Sequence, residues 1–312
     1  MKLFLISAAV LILLILLIAW ICFYMAFYVP KRSKENKEEF PIPEGEIYEP
    51  YREQMIDWMK ELRAMPHKDV QIRSFDGLLL QGKYYEYAPG APVELMFHGY
   101  RGSGERDLCG GVQRCFALGR SALVVEHRAG SISGGNVITF GILESRDCRN
   151  WVDFAIDYLG PDVKIVLTGI SMGASTVLIA AGQELPKNVV GVLADCGFTS
   201  AEDIIKKVIA QMGLPANLAW PFVRLGAKLY GHFDPTETSA IEAMKHCRLP
   251  VIFFHGESDD YVPCDMSRRN YEACAAVKSI CTVPGAGHGL SYLVDPEGYL
   301  DALRRFGTNW NL

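Results

Sequence analysis

From Leu3 to Val29 the chain is apolar and carries no charged side chain; beyond it, shorter apolar and polar stretches take turns. The first run is rich in Leu, Ile, Val and Phe, and as a helix it is long enough to cross a hydrocarbon core of roughly 30 Å. It ends in a cluster of bulky aromatics, Phe23, Tyr24, Phe27 and Tyr28. Such side chains suit a membrane–water interface, whereas a cleavable leader would have a shorter apolar stretch and a small-x-small cleavage site. The pattern predicts an uncleaved single-pass anchor over residues 1–30, with residues 3–29 against the lipid bilayer. Residues 30–46 are charged and then contain Pro41, Pro43 and Gly45, which reads as a tether. From 47 to 63, Tyr51, Met55, Trp58, Met59 and Leu62 fall at helical spacing and predict an amphipathic helix that packs on the following domain.

The remainder, 66–312, reads as one domain. Strands are expected at 69–74, 78–86, 93–97, 122–126, 163–168, 189–195, 250–254 and 278–283, the first two straddling the turn signal Asp76-Gly77. Several of these are almost continuously apolar, as strands covered by helices on both faces are. Helices are expected near 105–118, 143–158, 172–183, 264–274 and 296–306. An opening hairpin followed by β-α repeats implies an α/β fold with a mostly parallel central sheet. Between Asp195 and Leu249 the rhythm breaks into helix-like stretches at 201–212, 215–230 and 238–246. An insertion at the carboxyl end of a strand sits over the crevice where such sheets bind ligands, so 197–248 is read as a small helical cap.

Composition narrows the partners. A net charge of −5 and a pI near 5.8 argue against nucleic acid, which needs a basic face. Half the residues are hydrophobic, enough for a sizeable core. The nine cysteines are scattered and form no C-x-x-C pair, so neither a zinc ribbon nor a redox motif is expected, and no metal or cofactor. They fit free thiols in a reducing compartment. Lys31, Arg32, Lys34 and Lys37 follow the apolar span while only Lys2 and the amino terminus precede it, a count that favours a catalytic domain on the cytoplasmic side.

The candidate chemistry centres on Gly169-Ile170-Ser171-Met172-Gly173. Gly-x-Ser-x-Gly is a pattern that chance can supply, but here it lies between a strand and a good helix. A turn of that kind strains the serine and exposes its hydroxyl, and the small residues Gly169 and Gly173 let strand and helix approach. A serine hydroxyl needs a base, and the base an orienting acid. His288, in the glycine-rich stretch Gly285-Ala286-Gly287-His288-Gly289 after the last expected strand, is the candidate base. Asp259, in His255-Gly256-Glu257-Ser258-Asp259-Asp260 after a buried strand, is the candidate acid.

The chain from about Val70 to Phe306 resembles the α/β-hydrolase superfamily, and within it the membrane-anchored serine hydrolases and the prolyl-aminopeptidase-like branch. The resemblance rests on Ser74-Phe75-Asp76-Gly77, His98-Gly99-Tyr100-Arg101-Gly102-Ser103, the Ser171 motif, Ala194-Asp195-Cys196-Gly197-Phe198, the Asp259-x-x-Val262-Pro263 stretch and Gly285-Ala286-Gly287-His288. It implies that Asp259 is the acid, with Asp260 the alternative. It also implies an oxyanion hole made by the backbone N–H groups of Tyr100 and Met172, with His98 and His255 as structural neighbours. One stretch departs from the family. Where many relatives carry Asp-x-Arg-Gly-His-Gly-x-Ser, this chain has Glu126-His127-Arg128-Ala129-Gly130-Ser131-Ile132-Ser133-Gly134, which puts the pocket floor in question and gives His127 a packing role.

The expected reaction is therefore cleavage of an ester, thioester or amide, in an esterase- or lipase-like manner, through an acyl-serine. The substrate expected is a small molecule or an acylated one. A prolyl-aminopeptidase-like peptidase, an acyltransferase or an idle membrane scaffold are the alternatives. Leu214, Leu218, Trp220, Phe222 and Leu225 make the cap apolar, either as its own core or as a surface for a lipid-like substrate.

Overall fold

The expected strands assemble into one eight-stranded sheet in the computed structural model, which describes residues 1–30 and 39–310. The basic residues Lys31, Arg32, Lys34 and Lys37, and with them the first part of the tether, lie outside the described residues. The strands are β1 (Lys68–Arg73), β2 (Leu79–Tyr85), β3 (Val93–Phe97), β4 (Ser121–Val125), β5 (Ile165–Ile170), β6 (Val189–Asp195), β7 (Val251–Gly256) and β8 (Lys278–Val283). Their order across the sheet is β1-β2-β4-β3-β5-β6-β7-β8. β2 runs against both of its neighbours, and every other neighbouring pair is parallel. Each residue of β3 and of β4 is buried, as their mostly apolar runs require when helices cover both faces; Glu94 and Ser121 are the polar exceptions.

The helices are α1 (Lys2–Ala26), α2 (Arg52–Ala64), α3 (Gly104–Ala117), α4 (Ile142–Leu159), α5 (Met172–Ala181), α6 (Ala201–Gln211), α7 (Ala216–Tyr230), α8 (Ala240–Met244), α9 (Cys264–Ala273), α10 (Ser291–Val294) and α11 (Pro296–Gly307). α2 is preceded by a 3-10 segment, Glu46–Tyr51, so the expected helix over 47–63 is regular only in its later part. Pro50 lies inside that segment, and a proline disfavours the α-helical conformation at the residue before it. Met59 and Leu62 of α2 are buried in one cluster with Tyr85, Met96 and Leu108, and Met55, also buried, lines the cavity at Ser171. α6, α7 and α8 fill the interval between β6 and β7.

α1 is long and apolar enough to cross a membrane. Its large side chains up to Leu14 are exposed, while Ala19, Phe23 and, just past its end, Phe27 and Val29 are buried. Phe27 packs edge-on against Phe140 and Phe233, at 5.7 and 5.1 Å between ring centres. Tyr28 pairs with Val137 as a β-bridge, flanked by the bonds Val29 N–H to Asn136 O (2.8 Å) and Ile138 N–H to Phe27 O (2.8 Å). The end of the apolar helix is thus built into the core of the domain, beside α7.

Candidate active site

Every residue singled out for chemistry lies just past the carboxyl end of a parallel strand: Tyr100 after β3, Ser171 after β5, Asp259 after β7 and His288 after β8. That edge is where open α/β sheets place their ligands, because the loops there are free to vary over a rigid base. Ser171 is the residue before α5 and has φ 55° and ψ −118°, a strained conformation for a residue with a Cβ. Two close approaches hold the turn. A Cβ on Gly169 would fall 2.2 Å from the backbone of Gly173, and one on Gly173 would fall 2.0 Å from the carbonyl oxygen of Phe97 in β3. The Ser171 N–H donates to the carbonyl of Asp195 at 2.8 Å, tying the turn to the end of β6.

The structure brings Ser171, His288 and Asp259 into one chain of hydrogen bonds. His288 Nε2 lies 2.9 Å from Ser171 Oγ, and His288 Nδ1 lies 2.7 Å from Asp259 Oδ2. With Nδ1–H donating to the ionised aspartate, Nε2 is left as an acceptor for the serine hydroxyl. The other carboxylate oxygen, Asp259 Oδ1, accepts the N–H groups of Tyr261 (3.0 Å) and Val262 (2.8 Å). Burial acts to raise the Asp259 carboxyl, but hydrogen bonds from His255 and His288 outweigh it and hold the group well below the usual carboxylate range. Asp260 takes no part in this chain; its backbone carbonyl accepts from Lys207 instead.

The 99–102 turn passes next to the serine. A Cβ on Gly99 would lie 3.8 Å from Ser171 Oγ, and Tyr100 follows directly. Gly99 N–H donates to Asp107 Oδ2 (2.9 Å), and Gly102 N–H to Gly99 O (3.2 Å), with Arg101 at φ 51°. Met172 opens α5, where the first N–H groups of a helix have no partner within it. His98 and His127 support this turn from beneath. His98 Nδ1 lies 2.8 Å from Gly99 O, its Nε2 accepts the His127 N–H (3.1 Å), and His127 Nε2 lies 3.0 Å from His98 O. Desolvation pushes the His127 imidazole well below its ordinary range, so it sits neutral in the core.

Several contacts at the site had no motif to announce them. Asp107, in the first turn of α3, reads in sequence as an ordinary helix-start acid. His255 lies at the end of β7 with Nδ1 2.7 Å from Ser267 Oγ and Nε2 3.2 Å from Asp259 Oδ2, so it touches Asp259 directly. Tyr48 donates its hydroxyl to the His288 carbonyl at 3.0 Å, across 240 positions of sequence. Arg128, in the stretch that departs from the family, is buried between Asp147 (2.7 Å) and Asp76 (2.9 Å) and clamps the β1–β2 turn to α4.

A cavity of about 1160 Å³ opens at Ser171 and His288. Its walls come from the 41–48 segment, α2, α3 and Tyr261, and its inner end reaches Arg114, Thr168 and Tyr299. No residue of 126–134 or of 197–248 lines it among the described residues, so neither the departing stretch nor the cap helices shape this cavity. Of the apolar cap residues, Trp220 is buried, but Leu214 and Leu218 are exposed; they are neither cap core nor pocket wall. One trio has metal-ligand spacing among the described residues, Cys196, Asp259 and His288, with donor atoms within 4.8 Å of one another. Asp259 and His288 are bonded to each other, and burial pushes the Cys196 thiol well above its usual range, which does not suit a metal-binding thiolate. All nine cysteines are free thiols.

Comparison with known proteins bears on the fold. No protein-family model matches the chain. It is 28% identical over 195 residues to the uncharacterized protein YqkD of Bacillus subtilis, a match that covers 62% of this chain and 64% of that protein, under two thirds of its length. It is also 28% identical over 245 residues to the uncharacterized protein Rv2307c of Mycobacterium tuberculosis, covering 77% of this chain and 79% of the other. Among solved structures, the α/β hydrolase GrgF of a Penicillium species superposes with a TM-score of 0.64 at 18% identity, over 80% of this chain and all of that one. The fold is that of the α/β-hydrolases. The esterase Pf2001 of Pyrococcus furiosus superposes with a TM-score of 0.65 at 21% identity, over 80% of this chain and 95% of that α/β-hydrolase neighbour. Acetyl xylan esterase 1 of Thermoanaerobacterium covers 91% of this chain and 99% of its own, with a TM-score of 0.54 at 16% identity.

Proposed function

We propose that this protein is a serine hydrolase held at a membrane by α1, and that it cleaves a carboxylic ester or related acyl bond. The observation that carries the reading is the unbroken chain Ser171 Oγ, His288 Nε2, His288 Nδ1, Asp259 Oδ2, at 2.9 and 2.7 Å. His288 takes the serine proton as Ser171 attacks the carbonyl, and Asp259 orients and stabilises the imidazolium that forms. The oxyanion is received by the N–H groups of Tyr100 and Met172, each worth about 3–4 kcal/mol in the transition state. Collapse expels the alcohol, which leaves with the proton from His288. Water, deprotonated by His288, then attacks the acyl-serine and restores the enzyme. Two structural neighbours bear the name esterase, which favours an ester over a peptide, and the cavity has room for a substantial acyl or alcohol group. The charge pattern around α1 favours a cytoplasmic domain.

Labelling by a fluorophosphonate probe tests the reading. The parent chain should label and Ser171→Ala should not; equal labelling of the two would overturn it. p-Nitrophenyl acyl esters of increasing length, compared with aminoacyl amides, separate an esterase from a peptidase. Reporters fused at the carboxyl terminus decide the side of the membrane.

A further inference from the structure

Helix α7 presents two apolar faces. Trp220, Val223 and Ala227 are buried in the cluster that includes Phe23 and Phe27. On the outer side Leu218, Phe222, Leu225 and Leu229 follow one another by four, three and four positions, one line along a helix. Leu218 is 71% exposed and Leu229 44%, and in the turn before α7 Met212 and Leu214 are both more than half exposed. Phe222 and Leu225, between Leu218 and Leu229, are partly exposed, and an apolar line of this kind on a folded domain marks an interaction site.

The neighbouring helix indicates what covers it. A Cβ on Gly226 would lie 2.2 Å from the Ala19 carbonyl, and Tyr230 donates its hydroxyl to the carbonyl of Leu16 at 3.2 Å. The rings of Phe23 and Tyr230 are 5.9 Å apart. α1 is therefore fixed along α7 from Leu16 onward. The stretch of α1 that stands clear of the domain, Lys2 to Leu14, is about 20 Å long at 1.5 Å per residue. That falls about 10 Å short of a hydrocarbon core of roughly 30 Å. A bilayer that contains α1 has to reach over the α1–α7 contact, and the outer line of α7 comes into the same layer. Arg224 and Lys228 flank that line and are both paired with Asp234, at 2.8 and 3.0 Å. Their long stems let the charged heads stay at headgroup level.

We propose that the outer face of α7, from Leu218 to Leu229, is immersed in the lipid interface as a second membrane contact beside α1. The inference rests on the reading of α1 as a membrane anchor and extends it to the cap. Arg101, on the rim of the Ser171 cavity, donates to the carbonyls of Met25 (2.9 Å) and Tyr28 (3.1 Å) at the end of α1. With α7 immersed, that rim lies at the membrane surface, and the substrate class is an ester resident in the membrane.

The test uses the full chain in phosphatidylcholine nanodiscs, with a dansyl-bearing amino acid in place of Leu11, Leu218, Leu229 or Val277. Val277 is exposed at the opposite, amino-terminal end of the strands and serves as the aqueous control. Positions 218 and 229 should lose most of their emission to doxyl-labelled lipid and little to iodide, as position 11 does, while 277 shows the reverse. Iodide quenching at 218 and 229 equal to that at 277, with position 11 still quenched by lipid, overturns the α7 contact and leaves the anchor standing. Iodide quenching at position 11 as well overturns both. In a second arm, Leu218→Glu combined with Leu229→Glu should lower turnover of an ester held in the nanodisc several-fold and leave that of p-nitrophenyl acetate unchanged. Unchanged turnover of both esters overturns the membrane-resident substrate.

Discussion

The hydroxyl of Tyr100 donates to the carbonyl of Ala26 at 2.8 Å, so the loop that passes Ser171 is bonded to the last turn of the apolar helix α1. Burial pushes the Tyr100 phenol up to about 12, which keeps it a donor at every working pH. If the bond holds the Tyr100 N–H in position for the transition state, Tyr100→Phe removes about 1 kcal/mol of that support. The expected result is a fall in kcat of about fivefold with KM for a short soluble ester unchanged. Steady-state kinetics decide it, and a kcat equal to that of the parent would sink the idea.

Asp259 answers to two histidines. His255 Nε2 lies 3.2 Å from the oxygen that also receives His288, and 2.8 Å from the Val262 carbonyl. His255→Phe removes a hydrogen bond to a charged acceptor, about 1.5 kcal/mol, and should lower kcat roughly tenfold while fluorophosphonate labelling persists at a slower rate. Asp259→Asn should cost far more, on the order of 10⁴ in kcat, because it selects the wrong tautomer of His288. Comparable losses for the two variants would contradict this division of roles.

Glu94, at the centre of the sheet, is paired with Arg114 at 2.6 Å and Arg120 at 2.8 Å and accepts from Thr168 at 2.9 Å. Desolvation acts to raise its carboxyl, but the two guanidinium groups overcome this and bring it from 4.5 down to about 2. A carboxyl depressed by folding adds stability that is complete above its unfolded value and is lost as pH falls through the folded one. Denaturant titrations should therefore show the parent losing stability between about pH 4.5 and 2. Glu94→Gln leaves two buried cations without a counter-charge and should cost about 3–5 kcal/mol at pH 7, a gap that narrows on the acid side. A gap that stays constant to the bottom of that range would falsify the assignment.

Gly173→Ala would put a methyl group 2.0 Å from the Phe97 carbonyl, a backbone atom of a central strand that cannot move aside. Overpacking of this kind costs about 1–3 kcal/mol or more, and here it displaces the turn that presents Ser171. We expect a lower melting temperature together with loss of fluorophosphonate labelling. A variant that labels at the parent's rate would mean the turn tolerates the shift.

Periodicity by itself determined the strands and helices of the sheet to within a residue or two, because buried parallel strands are written as nearly continuous apolar runs. The Gly-x-Ser-x-Gly turn was legible for a related reason: close backbone approach excludes side chains, and only glycine meets that demand. The order Ser171, Asp259, His288 was legible too, but their meeting within hydrogen-bond distance was not, since three loops must converge from separate strands. Beyond the sequence lay the partners that only convergence supplies: Tyr48 over His288, His255 on Asp259, Asp107 under Gly99. The apolar residues of α7 show the limit most directly. Their hydrophobicity is plain in sequence, yet whether they face a core, a pocket or a membrane depends on which side of the helix α1 occupies. Packing across two hundred residues decides that, and no local pattern records it.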